Sequence, residues 1–274
     1  MTTRPLTTAR RREREVPRPP LVALMLAGIA AAFFVVPLAA LVWRTPWSSS
    51  WHVLSTHEAR AALWLSLETS ISATLIAVVF GVPLAWVQAR VSYPGRRLVR
   101  ALTLLPMLLP PVVGGIALLL ALGRRGLVGQ YLDHVGVHLP FHVAGAIAAE
   151  AFVSMPFLVL VVEAAFRSVD RRLEDAARTL GASRVSVFRR VTLPEIRPAL
   201  VAGALLCWAR ALGEFGATIT FAGNLQGKTQ TLPLFVYVTL ERGETGPAVV
   251  LSLVLLLIAV IVLVALRDRW LSAL

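Results

Sequence analysis

Long apolar runs dominate this chain and restrict what it can fold into. A bilayer core is about 30 Å thick, so a helix needs about 20 apolar residues to cross it. Lipid offers no partner to an unpaired backbone amide, so such segments must be helical. Six segments satisfy these conditions: Leu21–Trp43, Leu63–Ala89, Leu98–Leu122, Val143–Phe166, Ala199–Phe221 and Ala248–Leu266. The sequence therefore predicts an all-α, polytopic membrane protein with six transmembrane helices.

Composition agrees with this fold class. Hydrophobic residues make up 57% of the 274 residues, whereas soluble domains usually contain about 45–50%. The single cysteine, Cys207, excludes a disulfide framework within the chain. Several prolines lie inside the apolar runs and are expected to kink the helices rather than end them: Pro37, Pro83, Pro106, Pro110 and Pro111.

The basic residues are segregated by loop, and this asymmetry predicts an orientation. The net charge is +12, and 20 of the 27 arginines and lysines lie in the two tails and the loops after the second and fourth spans. Cytoplasmic loops carry the excess of Lys and Arg, so both termini are predicted to be cytoplasmic. The predicted organisation is a basic tail (1–20), a transmembrane domain (21–266) and a short tail (267–274). Because the charge flanks apolar runs, it indicates a membrane surface and not nucleic acid.

Residues 171–194 form a polar segment on this basic side, with the pattern of a helix–turn–helix. Four residues share one face of the first helix: Leu173, Ala176, Ala177 and Leu180. We expect Gly181 to adopt the left-handed conformation that closes this helix, and Ser183 to cap a second helix. We expect Pro194 to end that second helix. Such an element is suited to docking on a partner protein or to resting on lipid headgroups.

The same segment resembles the EAA motif of ABC-importer permeases, which reads Glu-Ala-Ala, three residues, Gly, nine residues, Ile-x-Leu-Pro. The spacing is kept, with Asp in place of Glu and Val in place of Ile. The resemblance implies a coupling segment that docks on a cytoplasmic ATP-hydrolysing subunit through Asp175, Ala176, Ala177, Leu180, Gly181, Val191, Leu193 and Pro194.

The chain contains no GxxxxGK[ST] phosphate loop. Any ATP and Mg²⁺ are therefore expected in a separate ATPase subunit, and this chain is expected to be neither an enzyme nor a cofactor-binding protein. A metal site is not expected either. Three histidines are spaced by four residues, but Gly136 and Pro140 interrupt the helix that this would need.

The fifth span contains two charges that predict a gate or a packing bridge. Arg210 and Glu214 lie at i and i+4, so they share a helix face and can pair. An unpaired charge at mid-span costs about 3 kcal/mol on insertion scales. Thr218 and Thr220 are candidates to line a route for a hydrated anion, or to bond to their own helix backbone.

The third span contains Pro110-Pro111 followed by Gly114-Gly115. This pattern places a bend beside a close-packing site. A helix deformed there is either a hinge for alternating access or a static kink. Three further acids, Glu68, Glu150 and Glu163, lie in the second and fourth spans. They are the main support for a different class, an ion-coupled secondary transporter.

Three stretches, residues 104–132, 209–224 and 227–257, resemble molybdate-type permeases of the oxyanion group. The resemblance implies a type I ABC-importer permease that moves molybdate by alternating access. Sulfate and tungstate are the alternative cargoes. It also implies a second copy of the chain, two ABC ATPase subunits, an extracytoplasmic oxyanion-binding protein, and a bacterial-type cytoplasmic membrane.

Overall fold

A computed structural model of the protein describes residues 20–270, with side chains through residue 266. The chain divides into two units, and the first ends at Arg44. Its described part is one helix, α1 (Leu21–Arg44), which continues through Pro37. This helix confirms the first predicted apolar helix and the expectation that Pro37 does not end it.

The second unit begins at Thr45, and its described residues form helices and connecting loops without a strand. Two helices continue through a π-helical turn, at Ala77–Gly81 and Phe188–Thr192. In chain order the helices are α2 (Trp47–Ser55), α3 (His57–Arg90), α4 (Arg96–Leu108), α5 (Pro111–Leu122), α6 (Gly129–His134), α7 (Val143–Ser168), α8 (Arg171–Thr179), α9 (Arg184–Leu212), α10 (Gly216–Phe221), α11 (Leu232–Glu241) and α12 (Thr245–Trp270).

Five helices among the described residues are long and apolar enough to cross a membrane: α1, α3, α7, α9 and α12. The expected third span, Leu98–Leu122, is instead two helices, α4 and α5, and the expectation that Pro110 and Pro111 only kink it is wrong. Each proline lacks the N–H that would continue a helix, and each disfavours helical geometry in the residue before it. Leu109 and Pro110 are accordingly extended, with ψ of 139° and 131°.

The predicted fifth span, Ala199–Phe221, is interrupted before its end. α9 ends at Leu212 and the short α10 begins at Gly216, so Glu214 lies in the break between them. At the other end, Pro194 does not end a helix, contrary to the prediction. α9 runs through Pro194 and Pro198 into the apolar core.

The π-helical turns explain how two prolines are accommodated inside long helices. Pro83 and Pro194 each follow such a turn by two residues. A proline inside an α-helix removes one donor and clashes with the carbonyl four residues back. A π-helical turn widens the helix locally, so the chain continues where an ideal helix would break. From the sequence pattern alone, a proline inside such a helix at position 194 could not be distinguished from a proline that ends the helix.

The core is centred on α7, which packs against α3, α4, α5, α9 and α10. Within an apolar 18-residue stretch of α7, 61% of the residues are buried. In the equivalent stretch of α3 the buried share is 28%. The largest buried cluster combines small and branched side chains from α3, α7 and α9, among them Ala77, Leu158, Phe166 and Cys207. Alanine at these contacts lets the helix backbones approach closely.

The short helices α5 and α10 cross at close range through two glycines. A Cβ added at Gly216 would lie 2.7 Å from Pro111 Cβ and 3.2 Å from the Val112 amide nitrogen. A Cβ added at Gly115 would lie 2.6 Å from Thr220 Cβ. Because no side chain fits at either position, the crossing requires glycine on both helices.

We predict that Gly216→Ala destabilises the protein by about 1–3 kcal/mol, the usual cost of overpacking a tight contact. Gly213→Ala is the matched control, since its added Cβ would meet only the Ala209 carbonyl oxygen at 3.6 Å. Thermal unfolding of the detergent-purified variants, followed by loss of the monodisperse chromatographic peak, measures both. Equal melting temperatures for the two variants would contradict this account of the crossing.

Candidate functional site

The segment after α7 folds as the predicted helix–turn–helix. The Asp170 side chain caps α8 by accepting a hydrogen bond from the Arg172 amide at 2.9 Å. Gly181 has φ of 84°, the left-handed conformation that favours glycine. The Ser183 hydroxyl accepts from the Ser186 amide at 3.3 Å and caps the following helix. The predicted roles of Gly181 and Ser183 in the local structure are confirmed.

This segment presents large apolar side chains at its surface. Leu173, Leu180 and Val185 are 53%, 88% and 66% exposed. We call these three side chains the coupling surface. Of the residues predicted to couple, Asp175, Ala176, Leu180, Gly181 and Pro194 are exposed, and Ala177, Val191 and Leu193 are half-buried. Exposed large apolar side chains on a polar segment are typical of a surface that another protein covers.

Glu174, which the sequence analysis did not single out, anchors the segment to the rest of the fold. Its Oε1 lies 3.0 Å from Nη2 of Arg90 at the end of α3. The same oxygen accepts a hydrogen bond from the Thr192 hydroxyl at 2.8 Å. By contrast, Asp175 is exposed and lies 3.5 Å from its helix neighbour Arg178. Glu174 therefore joins α8 to both α3 and α9.

A cavity of about 680 Å³ lies behind this anchor. Its walls include Trp86 from α3, Phe166 from α7 and Phe188 from α9. The rings of Phe166 and Phe188 stack with centroids 6.5 Å apart. The polar anchor and this aromatic contact therefore both border the cavity.

The predicted Arg210–Glu214 pair is present, in the break between α9 and α10. Arg210 Nη1 lies 2.6 Å from Glu214 Oε2, and Glu214 is 1% exposed. The other carboxylate oxygen accepts a hydrogen bond from the Ala217 amide at 2.8 Å. Glu214 therefore pairs with a charge at the end of one helix and satisfies an amide at the start of the next.

The structure brings the other predicted gate residues to the same region. Pro111 and Gly115 pack against Gly216 and Thr220, as described for the α5–α10 crossing. The Thr220 hydroxyl donates to the Gly216 carbonyl at 2.7 Å, which is the backbone alternative left open by the sequence.

Three predicted gate residues remain beside this crossing. Pro110 precedes α5 and is exposed. An added Cβ at Gly114 would contact the Phe152 ring at 3.4 Å. Thr218 is fully buried, and its hydroxyl has no hydrogen-bond partner among the described residues.

The three further acids have different surroundings. Glu68 is exposed on α3. Glu150 is buried, with Oε1 2.8 Å from the Thr69 hydroxyl and Oε2 without a hydrogen-bond partner among the described residues. Glu163 is buried between Arg100 and Arg167. The described contacts therefore link Glu163 to arginines and Glu150 to a hydroxyl.

We predict that Arg210→Ala destabilises the protein by about 3 kcal/mol, because it leaves a buried carboxylate without its counter-charge. Adding Glu214→Gln to the same variant should recover most of the loss, since the amide oxygen still accepts from the Ala217 N–H but carries no charge. Thermal unfolding of the two variants tests this. A double variant no more stable than Arg210→Ala would show that the pair is not the structural reason for the loss.

Comparison with known proteins gives consistent results along the chain. The family model of the binding-protein-dependent transport system inner membrane component matches residues 77–273. The molybdenum transport system permease protein of Mycobacterium tuberculosis is 46% identical over 245 residues, which are 89% of this chain and 91% of that protein. Its counterpart in Escherichia coli is 42% identical over 223 residues, covering 80% and 96%. The sulfate transport system permease protein of Salmonella typhimurium is 36% identical over 237 residues, covering 85% and 86%.

Solved structures agree on the fold. A chain of a bacterial ABC transporter that imports the acidic polysaccharide alginate has a TM-score of 0.72 and 21% identity, covering 91% of this chain and 94% of that one. A chain of the MetNI methionine ABC transporter has a TM-score of 0.55 and 20% identity, covering 76% and 94%. At this identity the likeness concerns the fold alone. Because the family model covers most of the chain and the relatives align over most of their length, this multi-pass membrane protein belongs to the family of binding-protein-dependent transport system inner membrane components, the permeases of ABC importers.

Proposed function

We propose that this chain is the permease subunit of an ATP-driven importer and translocates molybdate across the cytoplasmic membrane. The observation that carries this proposal is the 42–46% identity to molybdenum transport permeases along nearly their whole length. Sulfate is the second candidate cargo, because the sulfate permease is 36% identical over a similar length. Tungstate is so close to molybdate in chemistry that it is expected to share the route.

The proposed assembly contains two copies of this chain, two ABC ATPase subunits and an extracytoplasmic oxyanion-binding protein. The exposed leucines of the coupling surface support an ATPase docked on the side of the membrane where the arginines concentrate. ATP and Mg²⁺ bind in that subunit. Both termini of this chain then lie in the cytoplasm, as the distribution of basic residues indicates.

Coupling requires a mechanical connection between the docked ATPase and the spans. Glu174 provides it, because Arg90 lies at the end of α3 and Thr192 lies in the π-helical turn of α9. A displacement of α8 driven by closure of the ATPase pair therefore acts on two membrane helices at once. Asp175, Ala176, Leu180 and Gly181 are exposed, so they would touch the ATPase. Ala177 is half-buried beside them.

The proposed gate is the region where α9 breaks and α5 crosses α10. Helices interrupted at membrane depth are typical of transport pathways, because the ends of the interrupted helices expose polar groups. Arg210 is 30% exposed at its side chain while its partner Glu214 is buried, so the guanidinium is the accessible member of the pair. Weak binding suits a transport path, since a tight site would hold the ion.

We predict that Gly181→Pro abolishes uptake while the protein remains in the membrane. Proline fixes φ near −65°, whereas residue 181 has φ of 84°, so the turn between α8 and the Ser183 cap cannot form. Gly181→Asn is the matched control, because asparagine tolerates the left-handed region. Uptake of labelled molybdate by cells, normalised to permease in the membrane fraction, measures both. Normal uptake by Gly181→Pro would remove this turn from the coupling mechanism.

The cargo is tested with proteoliposomes that contain this chain and the ATPase, with the binding protein and labelled molybdate outside. We expect ATP-dependent uptake that unlabelled tungstate inhibits strongly and unlabelled sulfate inhibits weakly. The reverse order would favour the sulfate candidate. Uptake against a gradient by this chain without the ATPase would instead support a secondary transporter.

A further inference from the structure

A second cleft, of about 720 Å³, lies between the start of α4 and the end of α7. Ser92 and Tyr93 line it together with four arginines, which are Arg96, Arg97, Arg100 and Arg167. We call this the basic cleft. None of its lining residues belongs to the coupling surface or to the proposed gate.

The positive charge of the basic cleft is only partly neutralised. The Glu163 carboxylate forms ion pairs with two of the arginines. Arg100 Nε lies 3.3 Å from its Oε2, and Arg167 Nη2 lies 2.5 Å from its Oε1. Arg96 and Arg97 form no ion pair within residues 20–266. The first turn of α4 contains no acidic residue, and its N-cap is Gly95, which has no side chain to cap the helix. The helix dipole therefore adds to the positive potential, and the cleft is suited to an anion.

An apolar stripe leads away from the basic cleft along α4. Leu98, Leu102 and Leu105 lie at i, i+4 and i+7 on one helix face, and they are 64%, 57% and 43% exposed. Leu98 also lines the cleft. A cationic site continuous with a row of exposed leucines matches a molecule with an anionic head and an apolar tail. A free oxyanion would use the arginines and leave the leucines uncovered.

We propose that the basic cleft binds the phosphate headgroup of an acidic phospholipid, with one acyl chain along the stripe formed by Leu98, Leu102 and Leu105. The site lies on the side of the membrane where the arginines concentrate. Basic pockets at that level between membrane helices are suited to anionic lipid headgroups. The occupant is a structural lipid and takes no part in the passage of the cargo.

The test measures lipid retained by the full chain with its ATPase, purified in detergent and incubated with phosphatidylglycerol or phosphatidylcholine. Native mass spectrometry then counts the bound lipids. We expect the unmodified complex to retain phosphatidylglycerol in preference to phosphatidylcholine. Arg96→Gln with Arg97→Gln should reduce that retention by at least about tenfold, because each arginine near an anionic lipid surface contributes about 1 kcal/mol. Arg124→Gln with Arg125→Gln removes the same charge in the loop before α6 and should retain the lipid.

Two further measurements separate the lipid from a free anion. Leu98→Gln with Leu102→Gln should lower retention of phosphatidylglycerol, because both side chains are exposed and the change removes the apolar track without disturbing the core. Inorganic phosphate at millimolar concentration should not displace the lipid. Equal retention of both lipids by the unmodified complex, unchanged retention in the arginine variant or in the leucine variant, or displacement by phosphate would each overturn the proposal.

Discussion

Every backbone amide at membrane depth must find a partner within the protein, and this constraint shapes the two breaks in the helices. At the α9–α10 break the Glu214 carboxylate accepts from the Ala217 amide. Before α5 the Pro110 carbonyl accepts from the Val113 and Gly114 amides at 2.9 and 3.2 Å. Prolines 110 and 111 have no amide to satisfy. The crossing of α5 and α10 packs the two breaks against each other, because Gly216 lies against Pro111 and Gly115 against Thr220.

The carboxylate of Glu214 has two roles that depend on each other. A charge buried to 1% exposure requires a counter-charge, and Arg210 supplies it from the last turn of α9. The same carboxylate replaces the backbone acceptor that the break removes. A neutral side chain would leave Arg210 unpaired, and an uncapped α10 would leave an amide unsatisfied in an apolar region. The ion pair and the helix break are therefore parts of one arrangement.

Sequence patterning predicted which segments are apolar and helical, but not where those helices are interrupted. Hydropathy averages over a window, so Leu98–Leu122 satisfied the length criterion although two adjacent prolines end one helix and start another. The same average obscured the break at Glu214. At Pro194 the error was the opposite one: a helix end was predicted, but a π-helical turn lets α9 continue past the proline. The sequence predicted the pairing of Arg210 with Glu214 from a shared helix face. The pair forms, although Glu214 lies beyond the end of α9, in the break before α10.

The contact of Glu174 with Arg90, which anchors the coupling segment, could not be predicted from local sequence patterns either. Arg90 and Glu174 are 84 positions apart, and only the fold brings them together. The adjacent Asp175 occupies the motif position, yet it is exposed and its ion pair stays within its own helix. Residues of the motif that face outward are free to meet a partner, whereas the residue that fixes the segment to this chain lies one position earlier. The proposed coupling role needs both kinds of contact, because a docked surface without an internal anchor would move without moving the membrane helices.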